Sequence, residues 1–209
     1  MYIKSNKRQL KAKETKNRIY SCAGALFNEK GFNNVCVEEI AEAAGISVGG
    51  FYHHFKTKDE LIFSWVGSFD NEYEDFYNNE LQSPIYADAN TLEKIRAMVL
   101  RILDNFTIHG YDFSRITYTY LLKDYEVGLK MVDVNRNYFK IMHRLMTEGK
   151  ASGVIREDIS EELLVKNITM LIRGFIVDWC INGGNENIKE RIYSLLDIFL
   201  YGISKQLKE

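Results

Sequence analysis

The chain has 209 residues, of which 46% are hydrophobic and 27% are charged, as in an ordinary globular protein. This composition excludes the disordered and collagen-like classes, and no stretch approaches the roughly 18 apolar residues that a membrane span needs. A single proline and 14 glycines favour long helices over a β-sandwich, whose many turns need more of both residues. Three widely spaced cysteines and the lack of an apolar signal segment predict a reduced, cytoplasmic protein.

The net charge of −2 is distributed unevenly along the chain. Residues 1–60 contain ten Lys and Arg against seven Asp and Glu, a balance of +3, whereas the remainder contains 17 against 22, a balance of −5. Within residues 1–18, seven side chains are basic and one is acidic. A basic end on an otherwise acidic chain predicts contact with a polyanion, and a solvated tail is the alternative.

Apolar residues recur at spacings of three and four along most of the chain, which predicts helices throughout. The first four helices are predicted at 13–29, 37–44, 47–55 and 57–79. Gly31 and Gly45 follow the first two as helix-ending residues, and Thr57 with Glu60 predicts a capping box at the start of the fourth. Five further helices are predicted at 91–109, 113–123, 124–150, 160–181 and 186–206. The fold class is therefore all-α, with about nine helices.

The last two predicted helices are apolar over more of their circumference than a surface helix needs. An antiparallel pair of this kind can bury the excess in a four-helix bundle with a second copy of the chain. The alternative is that both helices are simply core. The residues assigned to a subunit interface are Leu164, Ile168, Leu171, Phe175, Ile192, Leu195 and Phe199.

Residues 36–55 have the pattern of a helix-turn-helix, in which two short helices are joined by a turn that contains Gly45. Glycine suits this turn because it adopts a positive φ without strain. In a DNA-binding motif of this form, the second helix enters the major groove with its N-terminal residues nearest to the bases. The candidate DNA contacts are Cys36, Ser47, Val48, Gly49, Gly50, Tyr52, His53, His54 and Lys58.

The stretch from Thr15 to Leu61 resembles the DNA-binding domain of the tetracycline-repressor (TetR) family of bacterial transcriptional regulators. The resemblance is carried by Ile19, Ala23, Leu26-Phe27, Gly31-Phe32, Val37, Ile40-Ala41, Ala44-Gly45-Ile46-Ser47, Gly49, Phe51-Tyr52-His53-His54-Phe55, Lys58 and Leu61. It implies a three-helix DNA-binding head within residues 1–57 and a six-helix body within residues 58–209. The body of such a regulator binds a ligand and forms the dimer through its last two helices.

The sequence departs from the family pattern at two places. Cys36 stands where the family usually has Ser or Thr, whose hydroxyl caps the second helix, and cysteine is a poor cap. Val48, Gly49 and Gly50 offer almost no side-chain hydrogen bonds to bases. Specificity would then depend on a thymine-methyl contact from Val48, close backbone approach at the glycines and DNA shape. Phosphate contacts are assigned to Ser47, Tyr52, His53 and Lys58.

The resemblance also implies a small-molecule effector among the middle helices, whose binding moves the fourth helix and changes the spacing of the two heads. Polar and aromatic residues between 91 and 181 supply the candidates for the effector site. They are His109, Tyr118, Tyr120, His143 and Trp179. An aromatic content of 13% predicts an effector that is apolar or aromatic.

Other chemistry is weakly represented in the sequence. His53 and His54 point about 100° apart on a helix and have no partner at metal-ligand spacing, so neither a metal nor another cofactor is expected. No nucleophile–base pattern is present, which argues against an enzyme. Cysteine-based redox sensing, for example at Cys36, is a minor alternative. The sequence therefore predicts a homodimeric, ligand-responsive repressor that binds a palindromic operator, with a protein-binding adaptor of the same architecture as the rival hypothesis.

Overall fold

The structure is a computed structural model that describes residues 2–205, with their side chains except those of 2–9, 28, 62–66, 68 and 109. Within this part of the chain nine α-helices form and no β-strand is found, which confirms the all-α prediction. The helices are α1 (Tyr2–Lys30), α2 (Val37–Ala43), α3 (Val48–His54), α4 (Lys58–Asp75), α5 (Thr91–Lys123), α6 (Tyr125–Met131), α7 (Asn137–Ala151), α8 (Glu161–Ile181) and α9 (Ile188–Ile203). Three shorter helical turns bring the helical segments above the predicted number, at Phe32–Asn34, Phe76–Glu80 and Pro84–Tyr86. Among the described residues, no helix is long and apolar enough to cross a membrane.

Glycines and capping residues at the helix ends shape the first three helices, which we call the head. Gly45 adopts the positive φ predicted for it, 63°, and Gly31, which follows α1 as predicted, has a φ of 77°. Ser47 caps α3, because its Oγ accepts a hydrogen bond from the backbone N–H of Gly50 at 3.0 Å. Helix α1 begins at Tyr2 and not near Lys13 as predicted. The reason is that the intervening residues include good helix formers such as Lys, Arg and Gln, with neither Gly nor Pro to interrupt them.

Helices α4 to α9 form the body, whose middle part differs from the prediction. Gly110 has a φ of 80° and kinks α5 in the predicted gap between 109 and 113. The single helix predicted at 124–150 is wrong, since α6 and α7 are separated at residues 132–136. Asp133 Oδ1 accepts a hydrogen bond from the N–H of Asn135 at 2.9 Å. This local turn competes with helical hydrogen bonding and ends α6.

One continuous hydrophobic core joins the head to the body. In the body, α4 packs against α5 and α7, while α8 contacts α5, α7 and α9. Helix α1 also packs against α5, so the head contacts the body through α1 as well as through the chain that continues into α4. Near the end of the chain, the N–H of Arg156 donates to the carbonyl of Ile203 at 2.9 Å and links the α7–α8 loop to α9.

The hairpin of α8 and α9 turns a different face to solvent from the one predicted. Leu164, Ile168 and Ile192 are at most 1% exposed and belong to the core of the single chain, so their assignment to a subunit interface is wrong. The reason is that α5 and α7 cover this stripe of α8, while α5 and α8 cover the inner side of α9. Of the remaining predicted interface residues, Leu171 and Phe199 are half-buried and Leu195 is exposed. Phe175 is buried but borders the groove between α8 and α9.

Replacing Gly128 by alanine tests the close approach of α6 to the end of α5. A Cβ at this position would lie 2.9 Å from the carbonyl oxygen of Leu121, and a backbone atom cannot move aside cheaply. We expect Gly128→Ala to lower the free energy of unfolding by about 1–3 kcal/mol in a urea titration. Gly67→Ala is the matched control, because among the described side chains its Cβ would meet nothing within 4 Å. The control should raise stability by up to about 1 kcal/mol, and equal effects of the two changes would contradict the close approach.

Candidate DNA interface and effector site

The recognition helix α3 presents a glycine-rich surface at its start. The Oγ of Ser47 accepts the N–H of Gly50, which leaves the hydroxyl proton of Ser47 available to donate to a phosphate. A Cβ at Gly50 would lie 3.3 Å from this oxygen, so glycine keeps the cap close to the helix. Val48 is 36% exposed and Tyr52 is 52% exposed. The first turn of α3 therefore combines a hydroxyl group, a methyl-bearing side chain and bare backbone on one accessible surface.

Aromatic packing holds the opposite face of α3 against the rest of the head. Phe51 and Phe55 are fully buried, and their ring centroids are 5.5 Å apart. Tyr20 of α1 meets Phe55 edge-on at 5.3 Å. Lys16 lies 5.3 Å from the centre of the Phe55 ring, where its ammonium group interacts with the π-system. These contacts hold the buried face of α3 against α1 and leave Val48 and Tyr52 exposed on the other side.

The two adjacent histidines lie in different environments. The side chain of His53 is exposed, whereas that of His54 is half-buried. Burial lowers the pKa of His54, and the neighbouring charges of His53 and Lys16 lower it further. His54 is therefore a neutral imidazole at pH 7, and of the two side chains His53 is the better placed to meet a phosphate.

Glu39 replaces the missing hydroxyl cap at the start of α2. The N–H of Cys36 donates to Glu39 Oε2 at 2.9 Å, and Lys30 Nζ lies 2.7 Å from Glu39 Oε1. The hydrogen bond from Lys30, followed by that from the Cys36 backbone, lowers the pKa of Glu39 to about 2. Cys36 itself is exposed. Helix α2 is thus fixed to α1 through the carboxylate of Glu39, which also forms a capping box with Cys36.

The structure gives Lys58 an internal role that the sequence did not predict. Its Nζ donates to the carbonyl oxygens of Phe32 at 2.7 Å and Val35 at 2.8 Å, and it lies 4.1 Å from the centre of the Phe32 ring. Two of the three ammonium protons are therefore used within the chain. This geometry does not support the predicted phosphate contact and instead makes Lys58 the connection between the start of α4 and the α1–α2 link.

The basic residues near the N-terminus lie on helix α1 and do not form a separate arm. The side chains of Lys11, Lys13 and Arg18 are exposed along this helix. The other basic residues of the predicted arm, Lys4, Lys7 and Arg8, have side chains outside the described set. Exposed cations of this kind are the groups that bind a phosphate backbone.

The structure does not bring the predicted effector residues together. Tyr118 borders an inner cavity of about 50 Å³, and burial raises its pKa above the usual range. Trp179 is buried, and its Nε1 donates to the carbonyl of Glu186 at 3.1 Å, which is a structural contact. Tyr120 is half-buried and does not border this cavity. The side chain of His109 lies outside the described set. His143, by contrast, borders a larger groove.

This groove has a volume of about 930 Å³ and lies between the outer faces of α7 and α8, beside the α6–α7 link. Its apolar walls are formed by Val132, Val134, Phe139, Val165 and Met170. Four basic side chains border the same space: Lys140, Arg144, Lys166 and Arg173. We call this the α7–α8 groove. Spacings of four residues on α7 and seven on α8 place each basic pair on one helix face, a signal that the sequence contained.

Two short helices joined by a tight turn, α2 and α3, with the first turn of the second helix exposed, are the features of a helix-turn-helix DNA-binding motif. The family description "Bacterial regulatory proteins, tetR family" matches residues 19–64. A second family description, "YsiA-like protein, C-terminal region", matches residues 69–202. The chain belongs to the TetR family of bacterial transcriptional regulators, and it is a DNA-binding transcriptional regulator.

Individual relatives are similar over nearly their whole length. The fatty acid metabolism regulator protein of Bacillus subtilis is 24% identical over 189 residues, which cover 89% of this chain and 94% of that protein. The crystal structure of the regulator FadR from B. subtilis in complex with stearoyl-CoA has a TM-score of 0.71 at 22% identity, covering 89% of this chain and 98% of that one. FadR from Thermus thermophilus in complex with lauroyl-CoA has a TM-score of 0.67 at 20% identity, with 93% and 96% covered.

The internal role of Lys58 predicts a difference between two neighbouring lysines. Lys58→Met removes two hydrogen bonds from a charged donor and should lower the free energy of unfolding by about 1.5–3 kcal/mol. Lys56→Met removes the same charge from an exposed side chain and should change it by less than about 0.5 kcal/mol. Urea titrations of the two variants measure the difference. Equal stability of both variants would show that Lys58 does not connect α4 to the head.

Proposed function

We propose that this chain is a homodimeric repressor that leaves a palindromic operator when a small molecule binds to its body. In this proposal residues 1–57 form the DNA-binding unit, and residues 58–209 form the ligand-binding and dimerisation unit. Two recognition helices bind successive major grooves about 34–36 Å apart on one face of the operator. An effector that prefers a different spacing of the heads reduces the population that fits DNA, in proportion to its differential affinity.

The exposed face of α3 supplies the DNA contacts in this proposal. Ser47, Tyr52 and His53 bind phosphates, and their exposure supports this role. Val48 contacts a thymine methyl group, while the glycines at 49 and 50 allow the backbone to approach the bases. Because few side chains here donate hydrogen bonds to bases, sequence-dependent DNA shape contributes much of the specificity.

Dimerisation is assigned to the outer face of α8 and α9. Large exposed apolar side chains lie along this face, at Ile181, Leu195, Ile198 and Tyr201. A shallow groove of about 510 Å³ runs between the two helices, bordered by Phe175, Leu195 and Ile198. Such a groove accepts side chains from the same hairpin of a second copy, which gives an isologous four-helix interface.

The lining of the α7–α8 groove is the observation on which the effector assignment rests. Its volume lies within the roughly 300–1,000 Å³ typical of small-molecule sites. Apolar walls suit a long hydrocarbon chain, and the bordering cations suit phosphate or carboxylate groups. The effector in this proposal is therefore an amphipathic anion, and the acyl-CoA ligands of the FadR structures support a fatty acyl-CoA thioester. This assignment is more specific than the prediction from composition, which was an apolar or aromatic effector.

A charge placed on the outer face of α9 tests the dimer. Ile198→Asp would bury two aspartates in each isologous interface and should raise the dimer dissociation constant by at least roughly 100-fold. Ile85→Asp is the control, because Ile85 is 86% exposed in the turn before α5. Sedimentation equilibrium of the two variants gives the constants. An unchanged dimer in Ile198→Asp would place the subunit interface elsewhere.

Release from DNA tests the proposed function directly. Genomic fragments selected by the protein supply the operator, and a mobility-shift titration measures affinity with and without ligand. Stearoyl-CoA should lower operator affinity by roughly 5–150-fold, whereas CoA without an acyl chain should have little effect. Unchanged operator affinity with stearoyl-CoA would contradict the effector class. Failure to retain any fragment at low salt would favour the protein-binding adaptor.

A further inference from the structure

Two arginines of the body converge on a single backbone oxygen. The carbonyl of Met131, at the end of α6, accepts hydrogen bonds from Arg136 Nη1 at 3.1 Å and from Arg173 Nη2 at 3.0 Å. Arg136 stands at the start of α7, and Arg173 lies in the middle of α8. Both guanidinium groups are only partly accessible to solvent. Two cations are thus held side by side where water screens their repulsion poorly.

Of these two arginines, Arg136 forms an ion pair with a carboxylate. Arg136 donates from Nε and Nη2 to the two oxygens of Asp70 on α4, at 2.8 and 3.0 Å, and both side chains are about 15% exposed. Within the part of the chain that the structure describes, no carboxylate forms an ion pair with Arg173. Burial, together with the charge of Arg136, lowers the pKa of Arg173. A half-buried cation without a counter-ion is costly, and binding an anion removes that cost.

The position of Arg173 connects this cation to the effector site. Arg173 and Thr169 border both the α7–α8 groove and the inner cavity. Thr169 Oγ1 is hydrogen-bonded to the Tyr138 hydroxyl at 2.8 Å. Arg136 borders the inner cavity beside them. An anionic group that enters from the groove therefore meets Arg173 first and has Arg136 next to it.

We propose that Arg173 and Arg136 bind the anionic group of the effector, and that this anion competes with Asp70 for Arg136. The inference rests on the proposed function, since it assigns the anchor of the same effector. A carboxylate or phosphate accepts two parallel hydrogen bonds from a guanidinium group, which is the geometry that Asp70 now uses. Effector binding thus weakens the ion pair that connects α4 to the α6–α7 link.

The competition reaches the head because Asp70 lies on α4. Other side chains of α4 and of the helical turn that follows it, Phe76–Glu80, also contact the body, including an ion pair of Glu72 with Arg101 at 2.9 Å and a hydrogen bond from Tyr77 to Glu148 at 2.9 Å. Neither Arg101 nor Glu148 borders the groove or the inner cavity. Among these three pairs, Asp70–Arg136 is the one with a member that borders either space. Arg144, which borders the groove, also lies 5.1 Å from the centre of the Tyr77 ring.

Calorimetric titrations of the full chain test the anchor with four probes. They are lauroyl-CoA, laurate, the uncharged 1-dodecanol and CoA alone, which separate a phosphate from a carboxylate source of the anion. We expect Arg173→Gln to weaken binding of the anionic amphiphiles by roughly 10–100-fold while leaving dodecanol unchanged. Arg173→Lys keeps the charge but not the paired donors, so its affinity for the anionic amphiphiles should lie between those of the wild type and Arg173→Gln. Arg115→Gln removes an exposed cation that pairs with Asp112 and should bind as the wild type does.

Asp70→Asn tests the competition. Without the carboxylate, Arg136 is available to the ligand, so lauroyl-CoA should bind more tightly and operator affinity without ligand should fall. If Arg173→Gln binds and responds to lauroyl-CoA as the wild type does, the inference is overturned and the proposed function stands. If no amphiphile releases the wild type from DNA, the proposed effector class fails. In that case the anion site is tested with sulfate. Sulfate should raise the Tm of the wild type and of Arg115→Gln more than that of Arg173→Gln. An equal rise in Tm for all three proteins would overturn the proposed anion site.

Discussion

Helix α4 is attached near both ends by partly buried charged side chains, and the position of the DNA-binding head depends on these attachments. At its start, Lys58 donates to two carbonyls of the α1–α2 link. Further along, Asp70 forms its two hydrogen bonds with Arg136. Because an α-helix rises about 1.5 Å per residue, roughly 18 Å of one stiff element separates the two attachments. In the proposed mechanism, a change at the α6–α7 link reaches the head as a displacement of the whole helix.

Net charge describes neither of the two surfaces to which we assign function. The body is acidic overall, yet basic side chains of α7 and α8 border the α7–α8 groove. In the head, exposed cations lie on α1, whereas the start of α3 contributes a hydroxyl group, a valine and two glycines. Ligand recognition depends on which charges share a cavity or a helix face, because screening weakens the influence of more distant ones.

Features that depend on neighbours in the sequence were predictable. The Ser47 and Thr57 caps, the helix end at Gly31 and the positive φ of Gly45 follow from groups within a few residues, and the structure confirms them. The break between α6 and α7 was not predicted, because the pattern of residues 124–150 indicated one helix and gave no sign of the turn at Asp133. Lys58 was assigned to DNA for its charge, but its hydrogen-bond partners lie 23 and 26 residues earlier in the chain.

By itself, the sequence determined the all-α class, the helix-turn-helix and the family, because residue spacing and capping chemistry act locally and survive without knowledge of the packing. Only the tertiary structure decided which apolar stripe of α8 is buried, since that depends on where α5 and α7 lie. It also decided which arginine has a carboxylate partner. Arg136 and Arg173 look alike in the sequence, and their difference arises because α4 brings Asp70 to one of them and not to the other.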